Sequence, residues 1–107
     1  MTIYRQGDVL ITRLEAEPEG ARKPVAREGG RIVLAHGELT GHAHAIESKA
    51  ASLFSDPASL RRFLRVRARD GVELRHEEHT TIKIEKGIYE ITRQVEWDGV
   101  AGRQVAD

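Results

Sequence analysis

The chain has 107 residues, with seventeen basic and seventeen acidic side chains, five histidines and no cysteine. Zero net charge argues against a dedicated nucleic-acid binder, which carries a basic excess. The missing thiols exclude disulfides and thiolate metal sites, so any metal must be held by nitrogen and oxygen. No apolar run approaches the ~20 residues of a membrane-spanning helix, and the start lacks a signal-peptide pattern. A cytoplasmic protein without membrane association is therefore expected.

In chain order the elements read as strands punctuated by glycine. Gly7-Asp8 opens Val9-Leu10-Ile11-Thr12-Arg13-Leu14, an apolar run of strand length. Glu15 to Pro24 holds Pro18, Gly20 and Pro24 among charges and reads as a loop. Gly29-Gly30 precedes a strand at Arg31-Ile32-Val33-Leu34-Ala35, and His42 to Glu47 reads as a further extended segment. The single helical signal is short. Ser55 or Asp56 can cap Pro57-Ala58-Ser59-Leu60-Arg61-Arg62, with proline tolerated in the first turn.

The second half is more strongly patterned. Residues 62–68 and 72–76 each alternate apolar with charged side chains around Arg69-Asp70-Gly71. A two-residue loop would set Val66 beside Arg75 and Leu64 beside Glu77, mixing apolar with charged. A three-residue loop pairs Ala68 with Val72, Val66 with Leu74 and Leu64 with His76, and glycine suits its left-handed position. The longer loop is predicted, and His76 then ends an inward-facing apolar row. Arg61, Arg62, Arg65, Arg67 and Arg69 read as the exposed face of the strand.

Lys86-Gly87 turns into a long strand, residues 88–97, with Tyr89, Ile91, Arg93, Val95 and Trp97 at alternate positions. Tyr89 and Trp97 are expected in the core. Arg93 interrupts this row, and a buried guanidinium needs a carboxylate or a ligand. Glu90 and Glu96 are near in sequence, although strand parity puts both on the other face. Asp98-Gly99 is a two-residue hairpin signal leading into residues 100–105. Seven to nine short strands, without repeat or domain boundary, predict one all-β domain, a small β-barrel or sandwich with at most one short helix.

Four of the five histidines form two pairs, His42 and His44, then His76 and His79. Residues two apart on a strand share a face, so His42, His44 and Ile46 point together, inward by the evidence of Ile46. The small Ala43 and Ala45 let another layer approach. The His-x-His spacing suits two imidazoles on one metal, and the register argument adds His76. His79, three residues further on, joins them only if the chain bends or bulges at Glu77-Glu78. Glu47, Glu77, Glu78 and Glu90 are the carboxylates available to complete the site or to orient the rings. His36 sits in a turn beside Gly37 and reads as structural or solvated.

Two resemblances bear on these residues. Gln6-Gly7-Asp8-Val9-Leu10, Gly37-Glu38-Leu39-Thr40-Gly41-His42-Ala43-His44, His76-Glu77-Glu78-His79, Gly87-Ile88-Tyr89 and Arg93-Gln94-Val95-Glu96-Trp97 resemble an uncharacterised family of small bacterial and phage proteins. That likeness groups residues without assigning an activity. A second, partial resemblance is to the cupin superfamily of metal-binding β-barrels. His42, His44 and Glu47 look like its first motif, and Ile84-Glu85-Lys86-Gly87-Ile88 like its second. Glu47 comes one residue early, Glu85 replaces a proline, and Glu90 stands where the last histidine belongs. A cupin-like fold implies a metal on His42 and His44 with Glu47 or Glu90, and with His76.

The leading expectation is a small β-barrel protein holding a divalent ion (zinc, iron, manganese or nickel) in its clustered histidines. If it is an enzyme, the ion activates a water or polarises a substrate oxygen, with Glu77 or Glu78 as general base and Arg93 as a further catalytic candidate. A metal-free alternative is acid–base phosphodiester cleavage, as of RNA, by two histidines, with Arg93 or the arginine strand holding phosphate. The remaining alternative is a non-enzymatic phage or mobile-element accessory module. A small-molecule ligand and a homo-oligomer that covers the sheet edges are the expected partners.

Overall fold

The computed structural model describes residues 2–20, 22–37 and 41–94, together with the backbone of 96–97 and 104–105. Among these residues the structure is all β. A six-stranded antiparallel sheet is built from β1 (Ile3–Gln6), β2 (Val9–Arg13), β3 (Lys23–Pro24), β6 (Ala51–Ser55), β7 (Arg62–Val66) and β10 (Gly87–Arg93), in the order β1-β2-β10-β7-β6-β3. Two ladders form a second layer. One pairs β4 (Ile32–His36) with β5 (Ala43–Ile46), the other β8 (Val72–Leu74) with β9 (Ile82–Ile84). They are joined where Ala45 and Arg75 exchange backbone hydrogen bonds of 2.9 Å. A short ladder of β11 (Glu96–Trp97) with β12 (Gln104–Val105) lies beyond.

Period-two alternation explains how both layers make one core. Val9 and Ile11, Leu53, Leu64 and Val66, and Tyr89 and Ile91 point inward from the large sheet, meeting Ile32, Leu34, Ile46, Val72, Leu74 and Ile84 from the second layer. β-Branched side chains dominate this set and suit the pleated surface. Tyr89 is fully buried, as expected. Its hydroxyl donates to the Glu85 carbonyl at 2.6 Å, and burial pushes its pKa up to about 12. The outer face of the large sheet carries Phe54 and Phe63, capped by Arg22 and Arg61. Glu17 reaches across it to Arg65 and Arg22. No helix of the structure is long and apolar enough to cross a membrane.

Several pairings differ from those expected. The hairpin between residues 62–68 and 72–76 does not form. β7 pairs with β6 and β10, and β8 with β9. The Arg69-Asp70-Gly71 turn is present, with Gly71 N–H donating to Ala68 O at 3.0 Å, but it carries the chain from one layer to the other. An apolar row in each segment fits facing layers as well as it fits paired neighbours. Likewise, Lys86-Gly87 leads from β9 into the opposite layer, and β10 ends at Arg93 rather than at residue 97. Asp98-Gly99 lies outside the described residues, as does the side chain of Trp97. The pairing of Trp97 with Gln104 leaves the whole stretch 98–103 between those strands.

The expected short helix is a single turn. Asp56 accepts hydrogen bonds from Ala58 N–H and the Ser59 hydroxyl, both at 2.9 Å, and Leu60 then adopts a left-handed φ of 61°. The bond from Asp56 N–H to Arg61 O closes the loop, and Arg62 is already laddered with Ser55. The arginine series is not one face either, since Arg62 shares the inward row of Leu64 and Val66.

Gly71 is the most constrained position of the layer crossing. Its φ is 82°, and a Cβ there would lie 2.6 Å from the Ile84 carbonyl oxygen. Gly71→Ala is expected to cost about 2 kcal/mol through backbone strain and this clash. Urea unfolding checks it, and an unchanged midpoint would contradict this account of the turn.

Candidate metal centre

Five segments meet at one end of the two layers. The β1–β2 turn brings Gln6 and Asp8, the end of β4 brings His36, and the start of β5 brings His42 and His44. The chain after β8 supplies His76 to His79, and the end of β10 supplies Arg93. As expected, His44 and Ile46 face the core, 2% and 0% exposed, while His42 is half-buried at the mouth. Behind them Val33, Ala43 and Ala45 form a small second cluster. The β4 ladder bulges opposite them. Val33 pairs with Ala45 and Ala35 with His44, and Leu34 is passed over.

All four paired histidines converge. Ring centroids lie 4.4 Å apart for His44 and His76, 4.6 Å for His76 and His79, 5.6 Å for His44 and His79, and 5.7 Å for His42 and His76. Ligand atoms of His44, His76 and His79 lie within 4.8 Å of one another, and so do those of a second set, His42, His76 and Glu77. His79 reaches the site because residues 77–79 form a bend instead of continuing the strand. Close approach also needs Gly37. A Cβ there would sit 2.9 Å from the His42 Cβ and 3.1 Å from the His76 Nε2.

Gln6 sets the orientation of His44. Its Nε2 donates to the carbonyls of Leu74 (2.9 Å) and Thr80 (3.0 Å), which turns its Oε1 toward His44 Nδ1 at 2.9 Å. An amide oxygen only accepts, so Nδ1 carries the proton and Nε2 presents a lone pair. A metal-binding imidazole is commonly fixed through its second nitrogen in this way. His76 is preset differently. Its Nδ1 accepts the Glu78 N–H at 3.0 Å, which in the neutral ring puts the proton on Nε2. Ligation through Nε2 therefore requires the Glu78 N–H to turn away.

The carboxylates separate into distinct roles. Glu77 accepts the Ala43 N–H at 2.9 Å, and this bond, the largest cause, lowers its pKa. Glu78 lies 4.0 Å from His42 Nδ1 and is exposed. Glu47 lines a shallow groove with Arg31, Arg75, His76 and Glu77 but belongs to neither ligand set. Glu90 sits elsewhere, in a two-bond pair with Arg61 at 2.7 and 2.9 Å. Arg93 pairs with Asp8, which is buried, and not with Glu90; the side chain of Glu96 lies outside the described residues. Asp8 Oδ1 also lies 3.7 Å from His44 Nε2. His36 is exposed beside Glu28.

Gln6 and Asp8 are residues of this cluster that motif reading left without a role. Their signal was present, since Gln6-Gly7-Asp8 is a polar pair astride a turn leading into a buried strand. A model of a domain family of unknown function (DUF8820) matches residues 5–94, and the chain belongs to that family. No curated protein and no solved structure matches the chain.

Burial, foremost, and then His76 depress the pKa of His44 to about 4. Asp8 opposes this shift, and His79 and Arg93 add to it. The ring is neutral when folded, whereas the unfolded chain's ring titrates near its ordinary 6.5. Between these values the unfolded state holds the extra proton, so the metal-free protein loses stability as pH falls from 6.5 to about 4. His44→Asn should flatten that dependence, as read from denaturation midpoints at pH 7 and 4.5. Equal slopes in the two proteins would contradict it.

Proposed function

We propose that this family member binds one divalent metal ion through His44, His76 and His79, and that the centre is built for chemistry at an open coordination position. One observation carries the reading. Three imidazoles from two separate stretches of chain lie within coordination reach of one another, and the most buried already presents its lone pair. An all-nitrogen donor set of this kind suits zinc, and accommodates iron, nickel or copper. Three protein ligands leave the fourth position of a tetrahedral ion free. When bound, such an ion supplies an activated water or polarises a substrate oxygen.

The remaining roles follow from what each side chain already does. Gln6 holds the His44 ring in its metal-binding tautomer. Asp8, close to His44 Nε2 and anchored by Arg93, accepts a hydrogen bond beside the ion. Glu77, committed to the Ala43 N–H, is a positioning residue. Glu78 is solvent-exposed and carries no such commitment, which makes it the better general base. His42 and Glu77 share His76 with the main set and offer a second route of approach for the ion.

Protein purified without a histidine tag is expected to carry one equivalent of metal by elemental analysis, and His44→Ala combined with His79→Ala is expected to lose it. Retained metal in a folded double variant would overturn the assignment. Gln6→Leu keeps the volume but removes the clamp, and should weaken zinc affinity by about 10–100-fold in competition with a chromophoric chelator. Unchanged affinity would remove Gln6 from the site.

A further inference from the structure

We propose that Arg62 and Arg93 form an oxyanion subsite beside the histidines, so that the molecule acted on carries a phosphate or carboxylate group. The inference names the substrate class of the metal centre and takes its catalytic meaning from that reading, while the anion site itself stands on separate observations.

Both arginines continue inward rows of neighbouring strands, Arg62 half-buried and Arg93 exposed at the end of its strand. Arg62 continues the row of Leu64 and Val66, and Arg93 the row of Tyr89 and Ile91. The register pairs Ile91 with Arg62 and Arg93 with Val9, so both guanidinium groups lie at the end of the sheet where the histidines gather. A guanidinium turned inward is costly unless it is neutralised and hydrogen-bonded. Arg93 is neutralised by Asp8, and its Nη2 donates to His36 O at 3.2 Å. Arg62 has no carboxylate partner among the described residues. Its one protein hydrogen bond there runs from Nη2 to Leu34 O at 2.6 Å, the carbonyl that the β4 bulge passes over. Burial, and then the charge of Arg93, disfavour its cationic form.

The charge count decides what is missing. Among the described residues two guanidinium groups face one carboxylate, Asp8, which leaves a net positive charge, and a divalent ion on neutral imidazoles would add to it. Glu77 and Glu78 lie beside Ala43 and His42 rather than beside Arg62. No buried side-chain nitrogen or oxygen among the described residues lacks a partner, so the unused donors of Arg62 face solvent. Guanidinium forks match the paired oxygens of phosphate and carboxylate. Capping Leu34 O alone needs only a neutral donor and gives no reason for a second cation next to Arg93.

The test titrates inorganic phosphate, and acetate in parallel, into the tag-free zinc-loaded protein at low ionic strength by calorimetry. The tighter of the two anions identifies the group. Arg62→Gln, which retains an amide donor for Leu34 O, and Arg93→Lys, which retains a cation for Asp8, should each weaken binding tenfold or more with zinc content unchanged. Arg65→Gln, on the outer face, should leave it unchanged. Absence of binding of either anion to the wild-type protein, or equal affinity in folded Arg62→Gln, would overturn the proposal while leaving the metal reading intact. If the protein binds no zinc, the metal reading fails, and the same titration on the zinc-free protein still decides the anion site.

Discussion

The buried amide of Gln6 is the contact on which the arrangement of this end of the molecule depends. Three hydrogen bonds leave one side chain, two to carbonyls of the second layer and its neighbouring bend, and one to the most buried histidine. A buried amide with an unpaired group is destabilising by about 1–3 kcal/mol, so the three bonds tend to be made together or not at all. That coupling ties the edge strand β1 to β8, to the 76–80 bend and to β5. It also removes a choice. With its nitrogen committed to two carbonyls, the amide can only accept from His44, and the tautomer of that ring follows from folding alone.

The site lies where such a constraint is cheapest to build. Along the middle of both layers every inward position is apolar, and a polar group there would find no partners. At the strand ends the β1–β2 turn, the β4 bulge and the bend after β8 leave backbone groups outside the ladders, and polar side chains complete them. Gln6 takes Leu74 O and Thr80 O, Arg62 takes Leu34 O, Arg93 takes His36 O, and Glu77 takes the Ala43 N–H. The same completion of backbone bonds brings imidazoles, guanidinium groups and a buried carboxylate into one region.

Much of the fold was legible because strand alternation is a local property. Val9 to Ile11, Val72 to Leu74 and the inward row of Tyr89 and Ile91 could be read from residue type alone. Pairing partners were not legible. Arg69-Asp70-Gly71 and Lys86-Gly87 are turn signals, and a turn of this kind serves a hairpin or a crossing between layers equally well. In the site, the spacing of His42 with His44 placed both on the face of Ile46. His79 was recoverable only with a bend at Glu77-Glu78, which the bond from Glu78 N–H to His76 Nδ1 accompanies. The Asp8–Arg93 pair spans nearly the whole chain, and nothing local to Arg93 pointed to it. Glu90 looked available by sequence, yet parity put it outward, where Arg61 holds it.

The two histidine sets share His76, and this sets how the centre can be filled. One ring nitrogen serves one ion, so an ion on His44, His76 and His79 competes with one on His42, His76 and Glu77 unless the ring bridges both. His44 would give the first set the advantage, since its Nε2 already carries no proton while Gln6 holds the proton on Nδ1, whereas Glu77 accepts from the Ala43 N–H. His76 must give up the bond from Glu78 N–H before its Nε2 can ligate, and residues 77–79 belong to no ladder that would resist the movement. The geometry thus combines a ligand locked by the core with ligands on a bend. An ion held here would have one ligand fixed by the core and two on the bend.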